Sequence, residues 1–274
     1  MDLGLVRKPC IVTGASRGIG RATARLLAAE GARVLLAARG EEGLTEAVEE
    51  CRAAVGSSHA GSADAVLDLL ALDVTAPDAG ERLLARCRER FGEPWAVVCN
   101  AGTSAVRPLE QLTDADFAAQ WELNAMAPLR LMRAVAPAMA ERGGGRIVNV
   151  SSSSGKRPSA TNVAYSVAKA AQLSLSRAFA DAYADRGVLV NAVTPGPVET
   201  GLWLDEGGLA DQTAAAKGGS REEALAAARA KVPVGRLGTP EEIAAVVAFL
   251  CSERTSDVTG AAWSVDGGSV PVIL

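Results

Sequence analysis

Short, largely apolar runs, separated by longer runs that are apolar on one side only, constrain this chain more than any other feature. "CIVTG" (10–14), "ARVLLAAR" (32–39), "VLDLLALDV" (66–74), "WAVVCNAG" (95–102), "RIVNVSS" (146–152), "VLVNAV" (188–193) and "AAWSV" (261–265) read as strands. Amphipathic stretches at 20–31, 41–54, 77–91, 113–141, about 162–186 and 239–252 read as helices, the first closed by Gly31. A strand apolar on both faces must be covered on both faces, and such strands alternating with helices form a parallel sheet between two helical layers. The expected fold is therefore α/β, a doubly wound parallel sheet. No Pro/Gly/Ser-rich linker divides residues 1–274, so one domain is expected. Two stretches break the rhythm. Residues 55–65, "VGSSHAGSADA", read as a small polar loop, and 201–232 form a long excursion that reads as a substrate lid.

"TGASRGIG" (13–20) lies between the first strand and the first helix. Gly14 permits the sharp turn. Gly18 and Gly20 let the backbone approach a ligand and let the helix pack on the sheet. A helix N-terminus there offers free N–H groups and the positive end of a dipole to a pyrophosphate. The context of strand, turn and helix points to a dinucleotide site.

"YSVAK" (165–169) places Tyr165 one helical turn before Lys169, on the same helix face. A phenol with an ordinary pKa of about 10 is a poor base near neutrality. A cation about 4 Å away contributes about 4 kcal/mol at an effective dielectric near 20, roughly three pKa units before desolvation offsets it. Lys169 favours the tyrosinate, so Tyr165 is expected to be poised for general acid–base catalysis.

Thr13-Gly14-x-x-x-Gly18-x-Gly20, "NAG" at 100–102, Tyr165-x-x-x-Lys169 and "PG" at 195–196, in this order, resemble the short-chain dehydrogenase/reductase family over about residues 7–268. The resemblance implies a Rossmann-type sheet of about seven strands, a nicotinamide cofactor and a homotetramer. It implies cofactor contacts from Gly14, Ser16, Arg17, Gly18, Ile19 and Gly20, from Asp73 and Val74 at the adenine, and from Asn100, Ala101 and Gly102. Lys169 would hold the nicotinamide ribose beside Tyr165, and Pro195, Gly196, Val198 and Thr200 would meet the carboxamide and phosphate ends. It also selects Ser152, thirteen residues before Tyr165, to hold the substrate oxygen, with Ser151 as the alternative. Asn124 would anchor a water for a proton relay past Lys169. Two positions depart from the family pattern: Cys99 replaces an asparagine before "NAG", and Pro197 stands where a large apolar residue is common.

An acidic residue at the end of the second strand binds the ribose hydroxyls of NAD, whereas arginine accommodates the extra phosphate of NADP. This chain has Ala38 and then Arg39, with Arg17 as a second cation. NADP(H) is therefore expected in preference to NAD(H), Glu41 and Glu42 belonging to the next helix. Leu202, Trp203 and Leu204 follow the cofactor loop as an apolar lid requires. They suit a small-molecule ketone or secondary alcohol with a hydrophobic body: a 3-oxoacyl thioester, a polyketide, or a terpenoid or steroid ketone. The segment "SVDGGSVPVIL" resembles, up to Gly268, the end of 3-oxoacyl-carrier-protein reductases. The alternatives are an NAD-dependent secondary alcohol dehydrogenase, a non-catalytic dinucleotide-binding regulator, and an epimerase or dehydratase of the larger related group.

Net charge −4 and a pI near 5.3 argue against nucleic-acid or anionic-membrane partners. Five scattered cysteines without a CxxC pair fit reduced structural thiols and a cytoplasmic setting. No apolar run approaches the ~18 residues of a membrane span. The only histidine, His59, falls in the polar loop, and no metal site is expected. Tyr183 has no lysine four places on and reads as structural.

Overall fold

The computed structural model describes residues 2–56 and 66–271. Most of the expected polar loop at 55–65, with His59, and the end of the "VPVIL" tail lie outside the described residues. The strands are β1 Pro9–Thr13, β2 Arg33–Ala38, β3 Leu67–Ala71, β4 Ala96–Cys99, β5 Gly145–Val150, β6 Val188–Pro195 and β7 Ala262–Val265. They form one seven-stranded sheet in the order β3-β2-β1-β4-β5-β6-β7, with every pairing parallel.

Side chains of the inner strands alternate between two cores, which is why those strands read as largely apolar, whereas the edge strands β3 and β7 keep partly exposed residues. Cys10, Val12, Val34, Leu36 and Val98 point to one face, with α1 (Gly18–Ala29), α2 (Glu41–Gly56) and α11 (Pro240–Cys251). Ile11, Leu35, Val97 and Ile147 point to the other, with α3 (Ala79–Phe91), α5 (Ala127–Glu141) and α7 (Val163–Tyr183). Full burial of one such side chain contributes about 1.5–3 kcal/mol. The strand order reverses between β1 and β4. There the loops leaving the two strands part and open a crevice at the carboxyl ends, the place where such sheets bind ligands.

The long helix expected at 113–141 is two helices. α4 (Asp114–Trp121) passes through a π turn, Glu122–Met126, into α5. The amide of Ala127 donates to the carbonyl of Glu122, five residues back. Pro128 has no N–H, so it cannot close the ordinary bond to the carbonyl of Asn124. The excursion at 201–232 contains α8 (Gly201–Leu204), α9 (Leu209–Lys217) and α10 (Arg221–Ala230), the last begun by a Ser220/Glu223 capping box. The four-residue α6 (Ser153–Lys156) follows β5. Tyr183 stacks on Phe179 and against Arg186, a packing role. Among the described residues no helix is long and apolar enough to cross a membrane.

Candidate active site

The glycine loop leaves β1 and turns into α1 with Gly14 at φ 64° and Gly18 at φ 55°, conformations that side chains resist. A Cβ on Gly20 would lie 2.2 Å from the Gly14 carbonyl oxygen, so only glycine lets the helix start this close to the turn. No side chain caps α1, and its first amides stay available to a ligand. Asn100 ties the crevice together from β4. Its side-chain amide donates to the carbonyls of Thr13 (2.9 Å) and Gly14 (3.3 Å), and its backbone amide donates to the Thr13 hydroxyl (3.0 Å).

These elements border a cleft of about 780 Å³ running along the carboxyl ends of the strands. Nearly all of the expected cofactor residues line it: Gly14, Ser16, Arg17, Gly18, Ile19, Arg39, Asp73, Val74, Asn100, Ala101, Gly102, Pro195, Gly196, Val198 and Thr200, together with Ser152, Tyr165 and Lys169. Leu202 and Trp203 close its outer side. Three expected residues are not in its wall. Gly20 is buried behind the loop, Asn124 is fully buried behind Gly102, and Leu204 is exposed.

Two expected cations behave differently. Arg39 follows β2 at the cleft, with Glu41 and Glu42 opening α2 beyond it. Its charge helps hold Asp73 below the usual carboxylate range, although the backbone and side-chain hydrogen bonds from Thr75 contribute more. Arg17 also lines the cleft, but its guanidinium is engaged by Asp205 of the excursion at 3.2 Å. Arg17 thus stays at the cleft as the expected second cation, with an exposed carboxylate of the excursion beside it.

Both candidate serines line the cleft, and their hydrogen bonds differ. The Ser151 hydroxyl donates to the Lys169 carbonyl at 3.0 Å, which ties it to α7. Ser152 caps α6, accepting from the Ser154 amide at 3.0 Å, and interacts with the Tyr165 hydroxyl. Burial raises the Tyr165 hydroxyl above its ordinary pKa, and the Ser152 contact pulls it the other way. The expected lowering by Lys169 is absent in the unloaded protein, because burial lowers Lys169 itself to about 7. Its Nζ lies 5.8 Å from the tyrosine ring centre and donates inward, to the Val150 carbonyl at 2.9 Å and the Gln172 side-chain carbonyl at 3.0 Å.

Asn124 sits in the π turn. Its amide nitrogen donates to the Thr103 carbonyl and to both oxygens of Gln120, while its Oδ1 is buried without a partner. A Cβ on Gly102 would be 2.8 Å from that oxygen and 3.5 Å from Lys169 Nζ, so the glycine keeps open the space between them. Cys99, buried at the end of β4, lies near Lys169 and is pushed up to about 12 by burial.

Sequence reasoning missed Gln172, which is fully buried against the lysine with its Nε2 unpaired. The signal was present: a glutamine three residues after Lys169, on the helix face that the lysine occupies. It missed the π turn as well, although Pro128 four residues after Asn124 marked the missing helix bond.

Residues 14–269 match the family model described as enoyl-(acyl carrier protein) reductase. The 3-oxoacyl-[acyl-carrier-protein] reductase FabG of Vibrio cholerae is 36% identical over 266 residues, covering 97% of this chain and 98% of the relative. L-sorbose reductase from Gluconobacter frateurii, solved with NADPH and L-sorbose, superimposes with a TM-score of 0.89 at 32% identity over 100% of both chains. An actinorhodin polyketide ketoreductase solved with NADPH gives 0.86 at 34% identity, over 97% of this chain and 98% of that one.

Proposed function

This chain belongs to the short-chain dehydrogenase/reductase family, NAD(P)-dependent oxidoreductases acting on CH–OH and C=O groups, and we propose that it is an NADPH-dependent ketoreductase for substrates with a hydrophobic body. The observation that carries this reading is the convergence of the Ser152 and Tyr165 hydroxyls and the Lys169 ammonium in one cleft that begins at an uncapped helix N-terminus. The residues fit the cofactor. Gly14 and Gly18 line the cleft in positive-φ turns that side chains resist, Gly20 lets α1 start against them, and Arg39 lines the same cleft.

Gly14, Gly18, Arg39 and Lys169 would hold the cofactor, whose nicotinamide would supply hydride chemistry at the carbonyl carbon when bound. Ser152 donates a hydrogen bond to the carbonyl oxygen and positions it. Tyr165 gives that oxygen its proton as charge develops there. Lys169 holds the ribose and passes a proton toward Tyr165. Asn124, its Oδ1 unsatisfied, accepts from the water that refills this path through the space beside Gly102. Leu202 and Trp203, carried by α8, cover the substrate, and the segment 201–232 acts as the lid. The relatives solved with NADPH support the cofactor reading, as does alanine at position 38.

The test is NADPH oxidation with a panel of ketones. Tyr165→Phe is expected to lower kcat by 10²–10⁴-fold with NADPH affinity nearly unchanged. A variant retaining more than about a tenth of the rate would remove Tyr165 from the acid role.

A homotetramer is part of the same proposal. Phe117 and Trp121 on α4 and Val167 on α7 remain exposed, and Leu173 and Leu175 are only partly covered. Apolar faces of this kind call for a partner. Sedimentation at micromolar concentration is expected to give four chains, and a monomer would contradict the proposal.

A further inference from the structure

We propose that the outer chamber of the cleft receives an anionic group carried on the far end of the substrate from the reacting carbonyl. This rests on the ketoreductase reading of the inner cleft. A chamber of about 500 Å³ lies against that cleft, and the two share Ser153, Ser154, Asn162, Pro197, Trp203 and Leu209 as a common wall. Alanines of α9 and α10 and Val270 make much of its lining apolar.

Three cations from three separate places also line it: Arg157 just after α6, Lys217 at the end of α9, and Lys231 just after α10. No carboxylate does. None of the three forms an ion pair or a side-chain hydrogen bond among the described residues. Of the excursion's carboxylates, Asp205 pairs with Arg17, Asp211 with Arg221 and Glu223 with Ser220, and Glu206 and Glu222 do not line the chamber.

Lysines at helix C-termini complement the helix dipole, which accounts for the sequence positions of Lys217 and Lys231. It does not account for Arg157, which follows a single turn, or for the three charges bordering one chamber. The three side chains are exposed, and a cleft lined by one sign of charge focuses the field and raises the local concentration of anions. The chain carries net charge −4, so this local sign runs against that of the whole molecule. A substrate with its carbonyl at Tyr165 extends its apolar body past Trp203 and Leu209 and brings a carboxylate or phosphate among these cations. The anion is either the carboxylate of a free oxo acid or a phosphate on the carrier arm of an oxoacyl thioester.

Two matched pairs of substrates, assayed with NADPH, separate these sources. One pair is an oxo fatty acid with its ketone next to the terminal methyl, and its methyl ester. The other is a medium-chain 3-oxoacyl thioester of coenzyme A, and the same acyl group on neutral N-acetylcysteamine. In at least one pair the charged member is expected to show KM on the order of tenfold lower, with the difference shrinking as ionic strength rises. A preference in the acid pair alone assigns the chamber to a carboxylate, and one in the thioester pair alone assigns it to a phosphate.

The triple variant Arg157→Gln, Lys217→Gln, Lys231→Gln is expected to bring the charged member's KM up to that of its neutral partner. Equal KM within both pairs in the wild type, or a variant that alters charged and neutral members alike, overturns the proposal. If no ketone in either pair is turned over, the reductase reading fails instead. Calorimetric titration of the corresponding hydroxy acid and its ester then decides the chamber separately: tighter binding of the acid, lost in the triple variant, supports it, and equal binding overturns it.

Discussion

Gln172 places a carbonyl oxygen 3.0 Å from the ammonium that the proposed chemistry depends on. Burial lowers Lys169 to about 7, so its charge responds to its hydrogen-bond partners near neutrality. The Gln172 oxygen accepts only from a donor and favours the charged lysine. A hydrogen bond to a charged group contributes about 1.5–3 kcal/mol, or about one to two pKa units. Gln172→Leu is therefore expected to move the Lys169 limb of the pH–rate profile to lower pH by about one unit and to weaken NADPH binding. Gln172→Glu is expected to move the limb to higher pH. A variant with a lower Tm and an unmoved limb would leave Gln172 as packing only.

At the scale of elements, cofactor choice belongs to the turn between β2 and α2. Ala38 ends the strand and Arg39 lines the cleft, and no carboxylate stands at position 38 to accept ribose hydroxyls. A 2′-phosphate carries close to two negative charges and suits a guanidinium fork. The double change Ala38→Asp with Arg39→Ala is expected to invert the preference from NADPH to NADH. The shift is roughly ten- to a hundred-fold in the ratio of dissociation constants, the equivalent of one charge-assisted hydrogen bond. Tighter NADH binding in the wild type would overturn the assignment. The π turn acts at the same scale. It interrupts the path from α4 to α5 so that Asn124 is buried beside Gly102 with its Oδ1 unpaired.

For the whole molecule, buried groups set the pH range of stability in opposite directions. Lys169 is depressed to about 7 when folded and has an ordinary pKa near 10.4 when unfolded. Between these values the unfolded chain binds more protons, so stability rises with pH. The five thiols are all buried, and four of them, Cys51, Cys87, Cys99 and Cys251, are pushed up to about 12, with Cys10 also raised well above its ordinary value. Above about 8.5 the unfolded thiols ionise while the native ones stay protonated, so each lowers stability by about 1.4 kcal/mol per pH unit. Five thiols outweigh one lysine. The Tm measured without added cofactor is expected to rise from pH 7 to about 8 and to fall beyond it. Lys169→Met should abolish the rise, and each Cys→Ala variant should make the fall shallower. A Tm that is flat above that pH would show that the thiols ionise in the native state.

The sequence by itself determined the sheet, because a strand buried on both faces must be apolar at every residue and leaves a local mark. It determined the glycine cradle for the same kind of reason, since Gly14, Gly18 and Gly20 are required by the backbone within a few residues of themselves. Tyr165 and Lys169 were legible because helical spacing alone puts them on one face. Only the tertiary structure decided that Arg17 pairs with Asp205, 188 residues away, that the Ser151 hydroxyl bonds to α7 while Ser152 caps α6, both at the cleft, and that the long helix breaks into a π turn. Those outcomes depend on which groups from distant segments come within hydrogen-bonding reach. The protonation of Lys169 was settled at the same level: spacing brings a cation near a phenol, but the depth of burial decides whether it keeps its charge.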